Sequence, residues 1–298
     1  MIEAVKKGDV MINPSRRIIA VSEAMSACVI TGTEKVRSGY GNGDCILADF
    51  FHGLFAVADA TERFSSSSRH FLERLLQRMI DQPAPVCAHE WRECLNDIYS
   101  SQDYRQKTTV SCVAMGRRDP ESMDFFVMSG GDSAVVIVDE NGKLLYQSKT
   151  DMNFAGRSQS AGIVDEITNV RPGSKVILYT DGYLDVRKNS PIAIENGLTT
   201  DDIIQKPVDS LAGLLHDCIQ KSHQSFEHDD IALMAMDPFA IASNDDDIAI
   251  LLGGTTPAGE NLYQKREILV NDRYSTAREW AVTGDILSSA GFMFREMS

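Results

Sequence analysis

Five aspartates of this chain share one setting, the end of an apolar run beside a small residue or a turn. Asp59 closes Phe55-Ala56-Val57-Ala58, and Asp181 closes Val176-Ile177-Leu178-Tyr179-Thr180. Asp229 precedes Ile231–Met236, Asp44 opens Cys45–Leu47 out of a glycine-rich turn, and Asp132 sits in Gly130-Gly131-Asp132-Ser133. Strand ends of a packed sheet lie near one another, so these carboxylates are placed to converge. Unpaired, such a cluster repels itself and raises its own pKa values. Divalent cations relieve that repulsion, and oxygen-only ligands suit Mg²⁺ or Mn²⁺ better than zinc. For any single aspartate, starting a turn or capping a helix is the ordinary role. For five in matching settings, the residues alone leave the two readings level.

The elements that must position them follow from periodicity. Ser26–Thr31, Cys45–Phe50 and Leu54–Ala58 read as strands, the last two joined through His52-Gly53 as a hairpin. Ser65–Ser68 offer an N-cap for a helix carrying Phe71, Leu72, Leu75, Leu76, Met79 and Ile80 on one face. A second helix fits about Val86 to Tyr99. Thr108–Met115, Met123–Met128, Ala134–Val138 and Lys143–Tyr146 are short apolar runs separated by turn residues, expected to form an antiparallel meander. Lys175–Tyr179 and Ile231–Met236 are further strands. Helical signals occupy 200–205 and Val208–His223. Blocks of strands alternating with helix pairs imply stacked sheets with helices outside, an α+β layered domain. After Pro238 the chain changes character, with strands expected at Ile248–Leu252 and Ile268–Val270 and a helix from Thr276, whose Glu279 completes a capping box. The expected division is a main domain at 1–237 and a C-terminal extension at 238–298.

Acidic residues outnumber basic ones 43 to 29, a net charge of -14 over 298 residues. Nucleic-acid binding draws its affinity from basic groups, so a general nucleic-acid or anionic-membrane binder is excluded. Most of the surplus is expected on a solvated surface. The six cysteines at 28, 45, 87, 94, 112 and 218 form no C-x-x-C pair, and most sit in apolar runs as small core residues. No charged-then-apolar leader and no run of about 18 apolar residues stands in the sequence, so a cytoplasmic protein is expected.

Other motifs compete less well. Gly254 to Asn261 imitates a phosphate loop after a strand, but Glu260 replaces the lysine and would repel phosphate. Gly39 to Gly43 lacks the spacing of a dinucleotide fingerprint. His216 and His223 share a helix without a third partner, and His228 reads as an exposed loop residue beside Asp229. The run Asp245-Asp246-Asp247 rivals Asp229 as a ligand, although charge runs are usually solvated loops.

Taken in order, Gly43-Asp44, Phe55-Ala56-Val57-Ala58-Asp59-Ala60, Lys107-Thr108-Thr109, Gly130-Gly131-Asp132-Ser133, Tyr179-Thr180-Asp181-Gly182 and Asp229-Asp230-Ile231-Ala232 resemble the metal-dependent serine/threonine phosphatases of the PPM superfamily (type 2C), nearest their bacterial SpoIIE-like branch. The resemblance covers roughly residues 26–237. It implies a four-layer α-β-β-α sandwich, two central mainly antiparallel sheets flanked by helices. It also implies hydrolysis of phosphoserine and phosphothreonine on a phosphoprotein in bacterial signalling, through a water activated by two Mn²⁺ or Mg²⁺ ions roughly 3.5–4 Å apart. Carried over by motif, Asp59 would bridge both metals, and Asp181 and Asp229 would bind the first. The Ala60 carbonyl would bind the second, with Asp44 reaching it directly or through water. Asp132 and Asp185 match positions that hold a third, looser metal in some relatives. Arg37 is the nearest match to an arginine that binds the substrate phosphate. The family's usual Asp-Gly is Asp59-Ala60 here, which suffices if the backbone is unstrained, since only the carbonyl is needed. The altered segment Ala60-Thr61-Glu62-Arg63 motivates the alternative, a non-catalytic binding or regulatory module on the same fold.

Overall fold

The computed structural model describes residues 10–13, 17–22, 24–30, 32, 42–61, 64, 66–102, 107–158, 160–161, 163–189, 205–221, 227–242, 248–254 and 293–297. Arg37, Glu62, Arg63, His223, Asp245–Asp247, Glu260, the expected strand at 268–270 and the expected helix from Thr276 lie outside them.

Two seven-stranded sheets form the centre. The first contains β1 (Val10–Asn13), β2 (Arg17–Ser22), β3 (Met25–Ile30), β8 (Ala134–Val138), β9 (Leu144–Gln147), β11 (Lys175–Tyr179) and β12 (Ile231–Met236), in the order β1-β2-β3-β12-β11-β8-β9. The second contains β4 (Cys45–Asp49), β5 (Leu54–Ala58), β6 (Val110–Arg118), β7 (Met123–Gly130), β10 (Ile163–Val170), β13 (Ile248–Gly254) and β14 (Met293–Met297), in the order β10-β7-β6-β5-β4-β13-β14. Every pairing within the two sheets is antiparallel.

The period of two along each strand divides its side chains between two cores. Phe55 and Val57 of β5 point between the sheets, where they meet Val135, Val176, Leu178, Ala232 and Met234. Leu54, Ala56 and Ala58 point outward onto α1 (Ser67–Asp81) and α2 (Ala88–Ser101), against Phe71, Leu75, Trp91 and Leu95. On the first sheet Ile177, Tyr179, Ile231 and Leu233 face outward onto α3 (Gly182–Asn189) and α4 (Leu211–Lys221), against Tyr183, Leu211 and Leu215. The layers therefore run helix, sheet, sheet, helix. Both faces of the central strands are buried, which is why they read as unbroken apolar runs rather than as an alternation.

Several expectations are corrected. The runs from Thr108 to Tyr146 do not form one meander. β6 and β7 pair in the second sheet, β8 and β9 in the first, and the chain crosses over at Gly131–Ser133. Gly131 makes that crossing at φ +96°, and a Cβ there would meet the Thr109 side chain at 2.8 Å, so glycine is required. Ser66 occupies the N-cap position of α1 without a side-chain cap bond. Its neighbours work elsewhere, with Ser67 Oγ donating to the Phe64 carbonyl and Ser68 Oγ to the Gly43 carbonyl. The segment from Val208 begins as a 3₁₀ turn (Val208–Ser210) before α4. α5 (Pro238–Ala242) follows β12, and β13 pairs with β4. No helix among the described residues is long and apolar enough to cross a membrane.

Candidate metal centre

The pairings bring one set of strand ends to a single edge of the sandwich. Cys45 lies opposite Ala58, so Asp44 and Asp59 leave β4 and β5 side by side. Tyr179 lies opposite both Leu233 and Ala134, so Thr180-Asp181, the approach to β12 at 228–230, and Asp132-Ser133 share the facing edge. Val110 opposite Gly130 brings Thr109 to the same place.

Backbone contacts lock these ends together. Asp230 is buried, and its carboxylate accepts from the Gly32 amide at 2.6 Å and the Gly43 amide at 2.7 Å. Ala60 N–H donates to the Gly43 carbonyl at 3.2 Å. A Cβ on Gly43 would stand 2.5 Å from the Ala60 oxygen, and one on Gly182 would stand 2.1 Å from the Asp230 oxygen. Glycine at these two positions thus permits backbone approaches that no other residue allows. Thr109 N–H and Thr108 Oγ1 both donate to the Asp59 carbonyl, at 2.8 and 2.6 Å, and Asp59 N–H donates to Thr109 Oγ1 at 3.2 Å. Ala60 is spared strain, since Asn169 is the only non-glycine residue with positive φ among the described residues.

The electrostatics are those of a crowd of like charges. Burial, followed by the charges of Asp59 and Asp230, raises the Asp44 carboxyl well above its ordinary range. Burial, then Asp181 and Asp229, does the same to Asp59. Asp181 is pushed up to about 6 by burial and by Asp132, Asp229 and Asp185. Asp132 is raised by burial and by Asp229. The charges pressing on these four groups all belong to other carboxylates. Thr180 Oγ1 donates to Asp44 Oδ2 at 2.6 Å, while the buried Asp44 Oδ1 has no hydrogen-bond donor. An orphaned buried carboxylate oxygen amid repelling neighbours costs free energy.

Asp44, Asp59, Asp132, Asp181, Asp185 and Asp229 are thus linked neighbour to neighbour by their charges, Asp44 through Asp59 and Asp185 through Asp181, with Ala60 held against Gly43 beside them. Asp185 Oδ2 accepts from Asp229 N–H at 3.3 Å. Even so, no group of three His, Cys, Asp or Glu side chains among the described residues stands ready to hold a metal ion. His228 departs from expectation, being buried with its ring Nδ1 2.8 Å from the Asp229 carbonyl. Asp230 and Thr180 each stand in a quoted motif, but their roles become visible only once Gly32, Gly43 and Asp44 are folded against them.

The raised Asp181 carboxyl has a measurable consequence. The folded chain holds a proton there between its unfolded value near 4 and its folded value of about 6. This contribution to stability is full below about pH 4 and is lost as pH rises through about 6. Unfolding of the metal-free protein, compared with Asp181→Asn between pH 4 and 7.5, should show the wild type losing stability relative to the variant. Parallel curves would contradict the account.

The fold is that of serine/threonine phosphatases of the PPM type. It matches RsbX in complex with magnesium (13% identity, 73% of this chain, 98% of that one, TM-score 0.51). It also matches the Mycobacterium tuberculosis serine/threonine phosphatase PstP/Ppp (15%, 72% and 97%, TM-score 0.53). A third match is the PPM Ser-Thr phosphatase MsPP of Mycobacterium smegmatis in complex with cacodylate (16%, 73% and 99%, TM-score 0.52). No curated protein sequence matches. Residues 58–239 match the family model of Stage II sporulation protein E, and the chain belongs to that SpoIIE family.

Proposed function

We propose that this chain is a Mn²⁺- or Mg²⁺-dependent phosphatase acting on phosphoserine and phosphothreonine in a bacterial phosphoprotein. The observation that carries this reading is the edge of the sandwich where burial, and then neighbouring carboxylates, raise the pKa values of Asp44, Asp59, Asp132 and Asp181 while Asp44 Oδ1 lacks a donor. All of these donors are oxygens, which suits hard divalent cations. Asp59, Asp181 and Asp229 would hold such ions together with Asp44 and the Ala60 carbonyl, and Asp132 and Asp185 would serve a third. When bound, two divalent ions activate water and offset the charge of the phosphoryl group. The chain itself keeps the Ala60 carbonyl in place through Gly43 and sets Asp59 between Thr108 and Thr109. Residues 1–237 would form the phosphatase domain, with 238–298 an extension whose strand β13 is paired to β4. Five buried free thiols and a sixth partly buried one fit a reducing cytoplasm.

Purified protein should hydrolyse p-nitrophenyl phosphate and a phosphoserine peptide only with Mn²⁺ or Mg²⁺, and EDTA should abolish turnover. Metal-loaded protein inert on both substrates would favour the second reading, a binding or regulatory module. The absence of a ready three-ligand group among the described residues is the observation on its side.

A further inference from the structure

Beside Asp59 a pocket of about 470 Å³, counting its open mouth, is lined by Lys107, Thr108, Phe154 and Arg157. The two cations come from separate segments held in fixed relation. Thr108 and Ala155 exchange backbone hydrogen bonds at 3.2 and 3.0 Å, which places Lys107 just before one end of that bridge. On the other side Arg157 and Ser158 N–H both donate to the Phe154 carbonyl, at 3.1 and 2.9 Å, closing a turn that carries the guanidinium. The Lys107 carbonyl accepts from Thr61 N–H at 3.5 Å. Among the described residues neither Lys107 nor Arg157 has a carboxylate partner. In a chain of net charge -14, a lysine and an arginine that line one pocket without a carboxylate partner among the described residues set two positive charges beside an acidic cluster. Asp59, whose carboxylate lies in the acidic cluster, also lines that pocket. A dianion approaching such a carboxylate is repelled unless cations stand beside it.

We propose that Lys107 and Arg157 form the clamp for the phosphoryl oxygens of the phosphorylated side chain, with Phe154 as its apolar wall. The proposal builds on the phosphatase reading and gives phosphate recognition to a lysine and an arginine that the sequence motifs left without a role. An ammonium contributes a movable point charge, and a guanidinium contributes a planar fork that pairs two oxygens at once. The ligand class is a phosphate monoester dianion, met either as free phosphate or on a peptide.

The full chain is titrated with inorganic phosphate, with and without Mg²⁺, and its steady-state kinetics are measured on a phosphoserine peptide. Lys107→Ala and Arg157→Ala should each weaken phosphate binding about tenfold or more, the effect of losing one charge-assisted hydrogen bond. KM should rise by a similar factor while kcat stays within about threefold, the pattern of lost uniform binding. Lys107→Arg and Arg157→Lys should restore most of the affinity. Lys143→Ala serves as the control, since Lys143 is exposed in the turn after β8, at the end away from Ala134. Unchanged phosphate affinity in both alanine variants overturns the clamp, as does wild-type protein that binds no phosphate, or an equal loss in Lys143→Ala. If phosphate affinity falls in the variants while the wild type turns over no substrate, the clamp stands and the phosphatase reading fails.

Discussion

Asp59→Asn should lower metal-dependent turnover by roughly a thousandfold or more, about 4 kcal/mol of barrier, while leaving the metal-free protein as stable as the wild type or more so. The two effects share one cause. Asp59 lies among carboxylates that raise its pKa, and its own charge presses on Asp44. A neutral amide removes that repulsion and brings an N–H group toward the buried Asp44 Oδ1, which lacks a donor. The same change removes the negative oxygen that would hold both cations. Hydrolysis of p-nitrophenyl phosphate with Mn²⁺ and thermal unfolding in EDTA read the two effects separately. Retained activity would remove Asp59 from the centre. Lost activity together with a lower Tm would contradict the electrostatic account.

Gly182→Ala should destabilise the fold by about 1–3 kcal/mol or more and cost activity as well. The added Cβ would lie 2.1 Å from the Asp230 oxygen and 3.0 Å from the Asp229 oxygen. Both are backbone atoms and cannot swing aside. Gly32 packs on the same segment, since a Cβ there would stand 2.8 Å from Asp229 C and Asp230 N. The segment 228–230 is thus already in close backbone contact at two glycines, and the strain should displace Asp181, Asp229 or both. Gly213→Ala supplies the comparison. It lies in α4 with nothing within 4 Å of its added Cβ, and a helical glycine-to-alanine change should stabilise by about 0.5–1 kcal/mol. Urea unfolding should give shifts of opposite sign. A Gly182→Ala variant as stable as the wild type would show that the 228–230 segment has room to move.

Local pattern carried much of the fold. Leu54–Ala58, Ala134–Val138 and Ile231–Met236 are strands as their apolar runs imply, because residues buried on both faces leave no polar interruption. The face of Phe71, Leu72, Leu75, Leu76, Met79 and Ile80 is the buried face of α1. β10 is not legible in the apolar pattern because Asp165, Glu166, Thr168 and Asn169 interrupt its apolar residues. It is an edge strand whose polar side chains have open positions, one of them accepting from the Tyr146 hydroxyl at 2.7 Å. α3 is hidden in the sequence because Thr180-Asp181-Gly182 reads as a turn, and the helix starts within it, with Leu184 N–H donating to the Asp181 carbonyl.

The sequence by itself determined which residues are strand ends and which of those ends carry a carboxylate, since both follow from neighbours one or two positions apart. Only the tertiary structure decided which ends meet. The jump from β7 to β8 between sheets, the pairing of β12 with both β3 and β11, and the threading of 228–230 between Gly32 and Gly182 depend on contacts nearly 200 residues apart, as between Gly43 and Asp230. Hydrogen bonding between strands is indifferent to side-chain identity, so periodicity cannot encode partner choice; volume and close backbone approach can. For the same reason Lys107 and Arg157, fifty residues apart, became neighbours only when Thr108 and Ala155 bonded across the edge of the sandwich.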